Sequence, residues 1–459
     1  MATTTGTSSA VKTDDFWTTY TDRVKENVNK RFAETPSALP EGVEDLDVMN
    51  TMQVLTPFKL DHSDNQMLCT TLPMRHSSNG PLSQDPVGLA TDGLTECYIS
   101  GYLKRMIAST PDLGEYPVPR VEVKAHRLTT FPGKGLGMVA ERDIRAGELI
   151  LAERPLLIVH GLIATPRQAQ LDHLTKTDND QVIMHDVESI FALSVERMNP
   201  ERKKAFENLA NSHLHDGSGP ILGRVRTNSF AVPEMIDPSG MGQINYGVVC
   251  DELSRLNHSC SPNTTHYWDM PSFSMQLRAV RDIEKGQEIT TQYCELGVPF
   301  VVRQKMLASY NFSCGCESCL YPKTSDSRRF KCANAVARHG YPKDWSRDFE
   351  LPKVTAVKPL LEIRDLLLQE GLECSSMYGF IVFLLMKTYA ARGDVAKTRE
   401  YAGKYNVWRL AGFGKAANDD ELDKAFGLVE TAEMVQKMRG RLQPKGKAGK
   451  GKGKEKAEA

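Results

Sequence analysis

The spacing of apolar side chains changes character several times along this chain. Before Pro119 there is little periodicity. Residues 1–13 are small and polar and are predicted to be disordered, and Asp14 or Asp15 is placed to cap a helix from Phe16 towards Phe32. From Thr35 to about Val118 the chain is rich in Pro, Gly, Ser and Asn, which predicts an irregular arm with short helices. Its clearest helix candidate is Leu94 to Ser109, with Tyr98, Tyr102, Leu103 and Met106.

From Pro119 the period shortens. Val121, Val123 and Ala125 alternate with charged residues, as in a half-buried strand. Gly133, Gly135 and Gly137 mark a corner, Met138-Val139-Ala140 follows, and Leu149-Ile150-Leu151 reads as another strand. A helical period then takes over from Thr165 to about Leu222, carried by Ile183, Val187, Ile190, Phe191, Val195 and Met198, with Phe206 and Leu209 continuing it. Short strand-like pieces return at Ser229–Val232, Thr265–Tyr267, Met275–Ala279 and Glu288–Gln292. After Ala356 the chain is helical again, and Arg392-Gly393-Asp394 sits like the turn of a helix pair. These shifts predict an α+β protein divided into an arm (1–118), a first β part (119–160), a helical insertion (161–227), a second β part (228–300), a cysteine-bearing segment (301–322), a helical C-terminal domain (323–443) and a basic tail (444–459).

Composition narrows the function classes. The chain has 459 residues, enough for two or three domains, with 40% hydrophobic and 25% charged residues, as in an ordinary soluble protein. A formal net charge of -1 argues against electrostatic nucleic-acid binding by the whole chain. The Lys-Gly-Ala tail from Lys445 is basic; it reads as a solubilising tail, or as a weak contact to nucleic acid or an acidic partner. The N-terminus lacks the apolar region of a secretory signal. The longest apolar run, Phe380 to Met386, is too short to span a bilayer and predicts a buried helix. A reducing compartment, cytoplasmic or nuclear, and no membrane partner are therefore expected. In such a compartment the 10 cysteines read as thiols or metal ligands.

Several short motifs carry chemistry. Gly133-Lys134-Gly135-Leu136-Gly137 lets backbone turn tightly and approach a ligand, although many β turns look alike. Leu256-Asn257-His258-Ser259-Cys260-Ser261-Pro262-Asn263 is dense in polar groups next to apolar ones. It implies a ligand, a polar network or a capped turn around a satisfied core histidine. Gly286-Gln287-Glu288 feeds a strand that ends at Tyr293, which alone is an ordinary hairpin with a core tyrosine. Cys314-x-Cys316-x-x-Cys319 points to zinc: three thiols cannot all pair with one another, and a closed structural site needs a fourth ligand.

In this order, these motifs resemble the SET-domain methyltransferases, most of all the SMYD branch and its fungal relatives. The resemblance covers about Pro119 to Leu320, extends weakly into the C-terminal helices, and does not reach the arm. It implies a SET core split by the insertion, a zinc-bound segment after it, and protein-lysine N-methylation with S-adenosylmethionine as methyl donor. It would place Lys134, Gly135 and Leu136 against the cofactor, with Asn228 of Thr227-Asn228-Ser229-Phe230 as a further contact. Asn257 and His258 would hold the cofactor by side chain and backbone, and Phe312 would pack on the adenine. Tyr293 would be the catalytic tyrosine, also at the cofactor. Tyr310 and Tyr246 would wall the lysine channel, and Cys260 would complete a zinc site with Cys314, Cys316 and Cys319.

The chain departs from that pattern in two places. Gly-Gln-Glu replaces Gly-Glu-Glu, which leaves Glu288 and Tyr293 in place. Residues 161–227 contain no cysteine, so the MYND zinc module of the SMYD branch is expected to be absent. His213, His215 and Asp216 read as a solvated loop, and Cys69, Cys97, Cys250, Cys294, Cys332 and Cys374 as small buried residues, with Cys294 lining the pocket wall. The expected partner is a protein with an exposed lysine, histone or non-histone, bound by a monomer. An inactive SET scaffold and an enzyme for a small-molecule amine are the alternatives.

Overall fold

In the computed structural model the described residues are 38–45, 53–54, 60–73, 92–111, 113, 117–161, 174–237, 244–334, 357–416, 427 and 430. The expected disorder of 1–13, the helix towards Phe32 and the basic tail lie outside them.

Three sheets are built on alternation and glycine-marked turns. A four-stranded sheet runs β10 (Asn257–His258), β13 (Glu288–Thr291), β5 (Gly135–Ala140), β4 (His126–Phe131). Gly133 and Gly135, with φ of 72° and 76°, make the corner between β4 and β5, a region of backbone space that suits glycine. A three-stranded sheet runs β11 (Thr264–Asp269), β12 (Ser274–Ala279), β6 (Leu149–Glu153). The third sheet has six strands, in the order β1 (Gln53–Val54), β2 (Met67–Leu72), β3 (Thr95–Ser100), β7 (Leu157–His160), β9 (Ile244–Val249), β8 (Ser229–Asp237).

That last sheet corrects the reading of the arm. The segment expected to be helical from Leu94 begins as β3, fully buried at all six positions, and only then enters α1 (Gly101–Ala108), capped by the Ser100 hydroxyl. A strand covered on both faces has no period-two signal, so its apolar run imitates a helix. β3 pairs in parallel with β7, so the arm supplies strands to the same sheet as the β parts. Conversely, Val121–Ala125 alternates but is not a strand; the strand starts at His126.

The insertion folds as α2 (Lys176–Glu196), α3 (Pro200–Glu207) and α4 (Pro220–Asn228), whose Phe191, Val195 and Phe206 pack with Tyr98 and Leu157. The segment after the β core forms α5 (Phe300–Leu307), the short α6 (Glu317–Leu320) and α7 (Pro322–Ala333). The C-terminal domain forms α8 (Val357–Gln369), α9 (Ser376–Ala391) and α10 (Val395–Phe413). Phe380–Met386 lies within α9, and Arg392-Gly393-Asp394 turns the chain into α10. The architecture is α+β. No helix among the described residues is long and apolar enough to cross a membrane.

Candidate active site

The four-stranded sheet brings the glycine turn and the polar motif together. β10 pairs in parallel with β13 (Asn257↔Thr290, His258↔Thr291), and β13 pairs antiparallel with β5. Asn257 therefore lies close to the glycine turn, and a Cβ on Gly137 would stand 2.4 Å from its Nδ2. Asn257 Nδ2 donates to Glu288 Oε1 (2.9 Å), and Lys134 Nζ donates to Glu288 Oε2 (2.5 Å). Sequence reading kept Glu288 as part of a motif without giving it a role. The structure makes it the acceptor shared by two expected cofactor residues. A Cβ on Gly135 would meet nothing within 4 Å, so the turn leaves open space beside Lys134, and Leu136 is exposed there.

His258 faces the other way. Its Nδ1 accepts the Tyr293 backbone N–H (3.0 Å), so the proton belongs on Nε2, which lies 3.3 Å from Cys260 Sγ. The imidazole thus links the tyrosine to the cysteine cluster, and only the His258 backbone is left for a cofactor. Cys260, Cys314, Cys316 and Cys319 place their sulfurs within 4.8 Å of one another, with Cys260–Cys314 at 3.9 Å and Cys260–Cys319 at 3.5 Å. Zinc–sulfur bonds of about 2.3 Å set tetrahedral sulfurs roughly 3.8 Å apart, so the four thiols fit a zinc ion. All ten cysteines are unpaired; Cys69, Cys97, Cys250, Cys294 and Cys332 are buried and Cys374 is half-buried.

Tyr293 stands between these elements. Its hydroxyl donates to the Leu256 carbonyl, and its ring lies 4.7 Å from Tyr310, 5.5 Å from His258 and 6.3 Å from Phe312. Burial, with Tyr310 and Glu288 nearby, pushes the Tyr293 phenol far above its ordinary range, so it stays protonated at any physiological pH. Phe312 also packs on His258 (6.1 Å).

A cavity of about 750 Å³ opens beside Tyr293. Tyr310, Cys294, Asn228, Phe230, His266, Trp268 and Phe413 are among its lining residues, together with Glu234 and Glu295. None of the described residues that line it is Lys or Arg. Asn228, the last residue of α4, spends its Nδ2 on the Ala210 and Arg224 carbonyls (both 2.7 Å), which leaves its amide oxygen for other partners.

Tyr246 is not brought to this cavity. It lies on β9, 1% exposed; its hydroxyl accepts from Ser100 N (3.1 Å) and meets Asp237 Oδ2 (3.4 Å), and His160 packs edge-on at 5.0 Å. It is a satisfied core tyrosine of the six-stranded sheet, and the expected channel role does not suit that position. The His213 loop also differs from expectation. His213 is buried, its Nδ1 is 2.5 Å from Asp216 Oδ2, and Arg226 closes on the same carboxylate (2.7 Å), which makes a local ionic knot. His213 and Arg226 hold the Asp216 carboxyl below its usual range against the opposing effect of burial.

Residues 135–294 match the SET domain family. Among curated proteins, the chain is 34% identical over 218 residues to "Histone-lysine N-methyltransferase set5" of Schizosaccharomyces pombe, covering 46% of this chain and 57% of that protein. It is 34% identical over 106 residues to "N-lysine methyltransferase SMYD2-B" of Danio rerio, covering 23% of each. The chain thus spans little more than half of the first relative and under a quarter of the second. Among solved structures, "Structure of Rubisco LSMT bound to Sinefungin and Monomethyllysine" aligns over 72% of this chain and 91% of that one, at 14% identity and a TM-score of 0.24. With the glycine turn and the Asn257-His258 strand on one sheet and Tyr293 just past its strand β13, residues 135–294 are a SET domain.

Proposed function

We propose that this protein is an S-adenosylmethionine-dependent protein-lysine N-methyltransferase with a structural zinc on Cys260, Cys314, Cys316 and Cys319, acting in the nucleus or cytoplasm on a histone or another protein. The observation that carries the reading is the cavity beside Tyr293: rich in aromatic side chains and carrying two carboxylates, with no Lys or Arg among the described residues that line it. A long cationic side chain is what such a cavity suits.

The cofactor residues are Lys134, Gly135 and Leu136 at the turn, Asn257 and the His258 backbone, and Phe312, with Asn228 as a further contact. When bound, S-adenosylmethionine supplies a methyl group activated by a sulfonium. The chain's own residues supply orientation. Lysine in water is protonated and cannot attack. Glu234 and Glu295 draw the ammonium to the cavity; desolvation in the channel, with the positive sulfonium of a bound cofactor beside it, would disfavour the charged form, so that the proton leaves to solvent. Tyr293, kept neutral and tied to the Leu256 carbonyl, fixes the wall against which the free amine is aligned, and orientation does much of the work. The zinc site holds Tyr293 in place through His258. No strong general base is required.

Calorimetry with S-adenosylmethionine on the wild type and on Asn257→Ala tests the cofactor half. Transfer of labelled methyl to core histones and to a cell extract tests the reaction. Saturable binding lost in Asn257→Ala, with label on lysine, is the expected result. A folded, zinc-loaded protein that binds no cofactor would overturn the reading and leave a scaffold.

A further inference from the structure

α10 ends at the cavity beside Tyr293. Gly412 and Phe413, at its C-terminal end, are among the lining residues. Gly414 caps the helix with a φ of 67°, and a Cβ there would stand 2.3–2.5 Å from the ring of Tyr267, itself a lining residue. This close approach pins the point at which the chain leaves α10, so the residues after Gly414 set out from the side of the cavity.

The charges on the two sides of that point are opposite. Glu234 and Glu295 line the cavity and are exposed, and neither makes an ion pair or a side-chain hydrogen bond with another described residue. No Lys or Arg among the described residues lines it. The chain that continues from Gly414 carries Lys445, Lys447, Lys450, Lys452, Lys454 and Lys456 in one short stretch. Lys447, Lys450 and Lys452 have only Gly or Ala on either side. Neighbours that small let backbone come close to a wall, so a lysine can reach in without a bulky residue beside it. Extended chain advances about 3.3 Å per residue, so with one lysine inside, the next stands about 7–10 Å away, outside the cavity and free to pair with an exposed carboxylate. Lys447 follows Gly414 by about 33 residues, a length that spans about 100 Å when extended and is ample to turn back on the cavity. Both partners belong to one chain, so their encounter does not depend on protein concentration.

We propose that the segment Lys445–Lys456 enters the cavity beside Tyr293 of its own chain and is methylated there, chiefly on Lys447, Lys450 and Lys452. The proposal rests on the methyltransferase reading for its chemistry. The lysine amine, having lost its proton to solvent, forms a bond to the methyl carbon of S-adenosylmethionine as the carbon–sulfur bond breaks. The leaving group is the neutral sulfur of S-adenosylhomocysteine, and the methylated nitrogen takes the positive charge.

The test uses the full, zinc-loaded chain with methyl-labelled S-adenosylmethionine, alone and with core histones, and locates label by peptide mass spectrometry. The expected result is label on the tail of the chain alone, at a rate per molecule constant within about twofold over an about hundredfold range of protein concentration. When all six lysines are arginine (Lys445→Arg through Lys456→Arg), the charge is kept, label on the chain should fall at least about tenfold, and label on core histones should be retained. A second readout needs no turnover. Zero-length carbodiimide coupling of the chain loaded with zinc and S-adenosylhomocysteine should join a tail lysine to Glu234 or Glu295, and a mixture of ¹⁵N-labelled and unlabelled chains separates links within a chain from links between chains. Label on core histones with none on the tail overturns the proposal and leaves the enzyme reading standing. A tail rate that rises in proportion to protein concentration, or coupling only to other carboxylates, also overturns it. A folded, zinc-loaded chain that binds cofactor and labels neither tail nor histones overturns the proposal and the enzyme reading together.

Discussion

Two cores meet at the active site, and they are held together by different forces. The first is the β core, where Met138, Ile150, Ile158, Val248, Leu277 and Ile289 pack in one apolar cluster. The second gathers Cys260, Cys314 and Cys319 with Leu367, Val382 and Leu385 of the C-terminal helices, and Tyr293, Tyr310 and Phe312 pack against it. The strands of the first core carry Asn257, the glycine turn and Glu288. The tyrosine wall leans on the second. Apolar burial dominates the first region, with a few buried polar links such as His126–Glu252. The second clusters four thiols and a buried ion pair, so with the proposed zinc its order would depend on the metal and on charge pairing. Cofactor binding and channel geometry should therefore fail separately.

The largest effect is expected from the metal. A strong chelator, or Cys316→Ser, should strip the zinc, melt the helices packed on the cluster and abolish methyl transfer, because structural zinc contributes on the order of 10 kcal/mol. Hydrogen exchange should show loss of protection in 357–413 first, with β5, β12 and β13 still protected. Simultaneous loss in both regions would break the comparison. Next in size is Arg329→Met. Arg329 is 2% exposed; it donates to Glu370 Oε2 (3.0 Å), to the Cys260 carbonyl (2.9 Å) and to Ser318 Oγ (3.0 Å), so it ties the metal segment to α8. Its removal leaves Glu370 to Arg328 Nη1 (3.2 Å) and the Ser325 hydroxyl, and should cost about 3 kcal/mol in urea unfolding, again centred on the second core. Smaller still, and opposite in kind, are Tyr293→Phe and Glu288→Ala. The first should lower kcat about 10²-fold at unchanged cofactor affinity. The second frees Lys134 and Asn257 and should weaken cofactor binding about tenfold with little effect on kcat at saturation. If the two variants change the same constant, the halves are not separable.

The sequence reading reached these regions unequally. The cysteine spacing, the Asn257-His258 motif and the strands near 265, 275 and 288 were legible because ligand spacing and half-buried alternation leave a period in the sequence. β3 was misread because burial on both faces erases that period. Tyr246 was misplaced because an aromatic between two strands looks the same whether it faces a channel or a sheet interior. His213 was read as solvated because Arg226, which fixes its partner Asp216 by closing on the same carboxylate, lies across a turn and most of a helix from that loop.

The smallest effect concerns pH and belongs to the first core. Glu153, at the end of β6, accepts the backbone N–H groups of Leu253 (2.6 Å) and Glu252 (3.2 Å), and so holds the turn that leads into Asn257. Burial raises its carboxyl from an ordinary 4.5 to about 7, against the opposing effect of those two N–H groups. Between those values the folded chain keeps a proton that the unfolded chain has released. Stability from this group is therefore full below about 4.5 and is lost as pH rises towards about 7. Its neighbour Glu252 has the opposite sign: the His126 hydrogen bond, outweighing burial, holds its carboxyl below the ordinary range, so its contribution is present above 4.5 and lost as pH falls further. The two windows do not overlap. His266, which burial pushes down to about 4, acts with the opposite sign below 6.5, so the comparison isolates the glutamate: between pH 5 and pH 7 the urea midpoint should move lower in the wild type than in Glu153→Gln, which keeps one acceptor oxygen and cannot ionise. The difference should appear in the exchange rates of β6 and β12, and those of α8 to α10 should not follow it. An identical midpoint difference in wild type and Glu153→Gln would remove Glu153 as its source. A matching change in α9 would mean that the two cores share one cooperative unit.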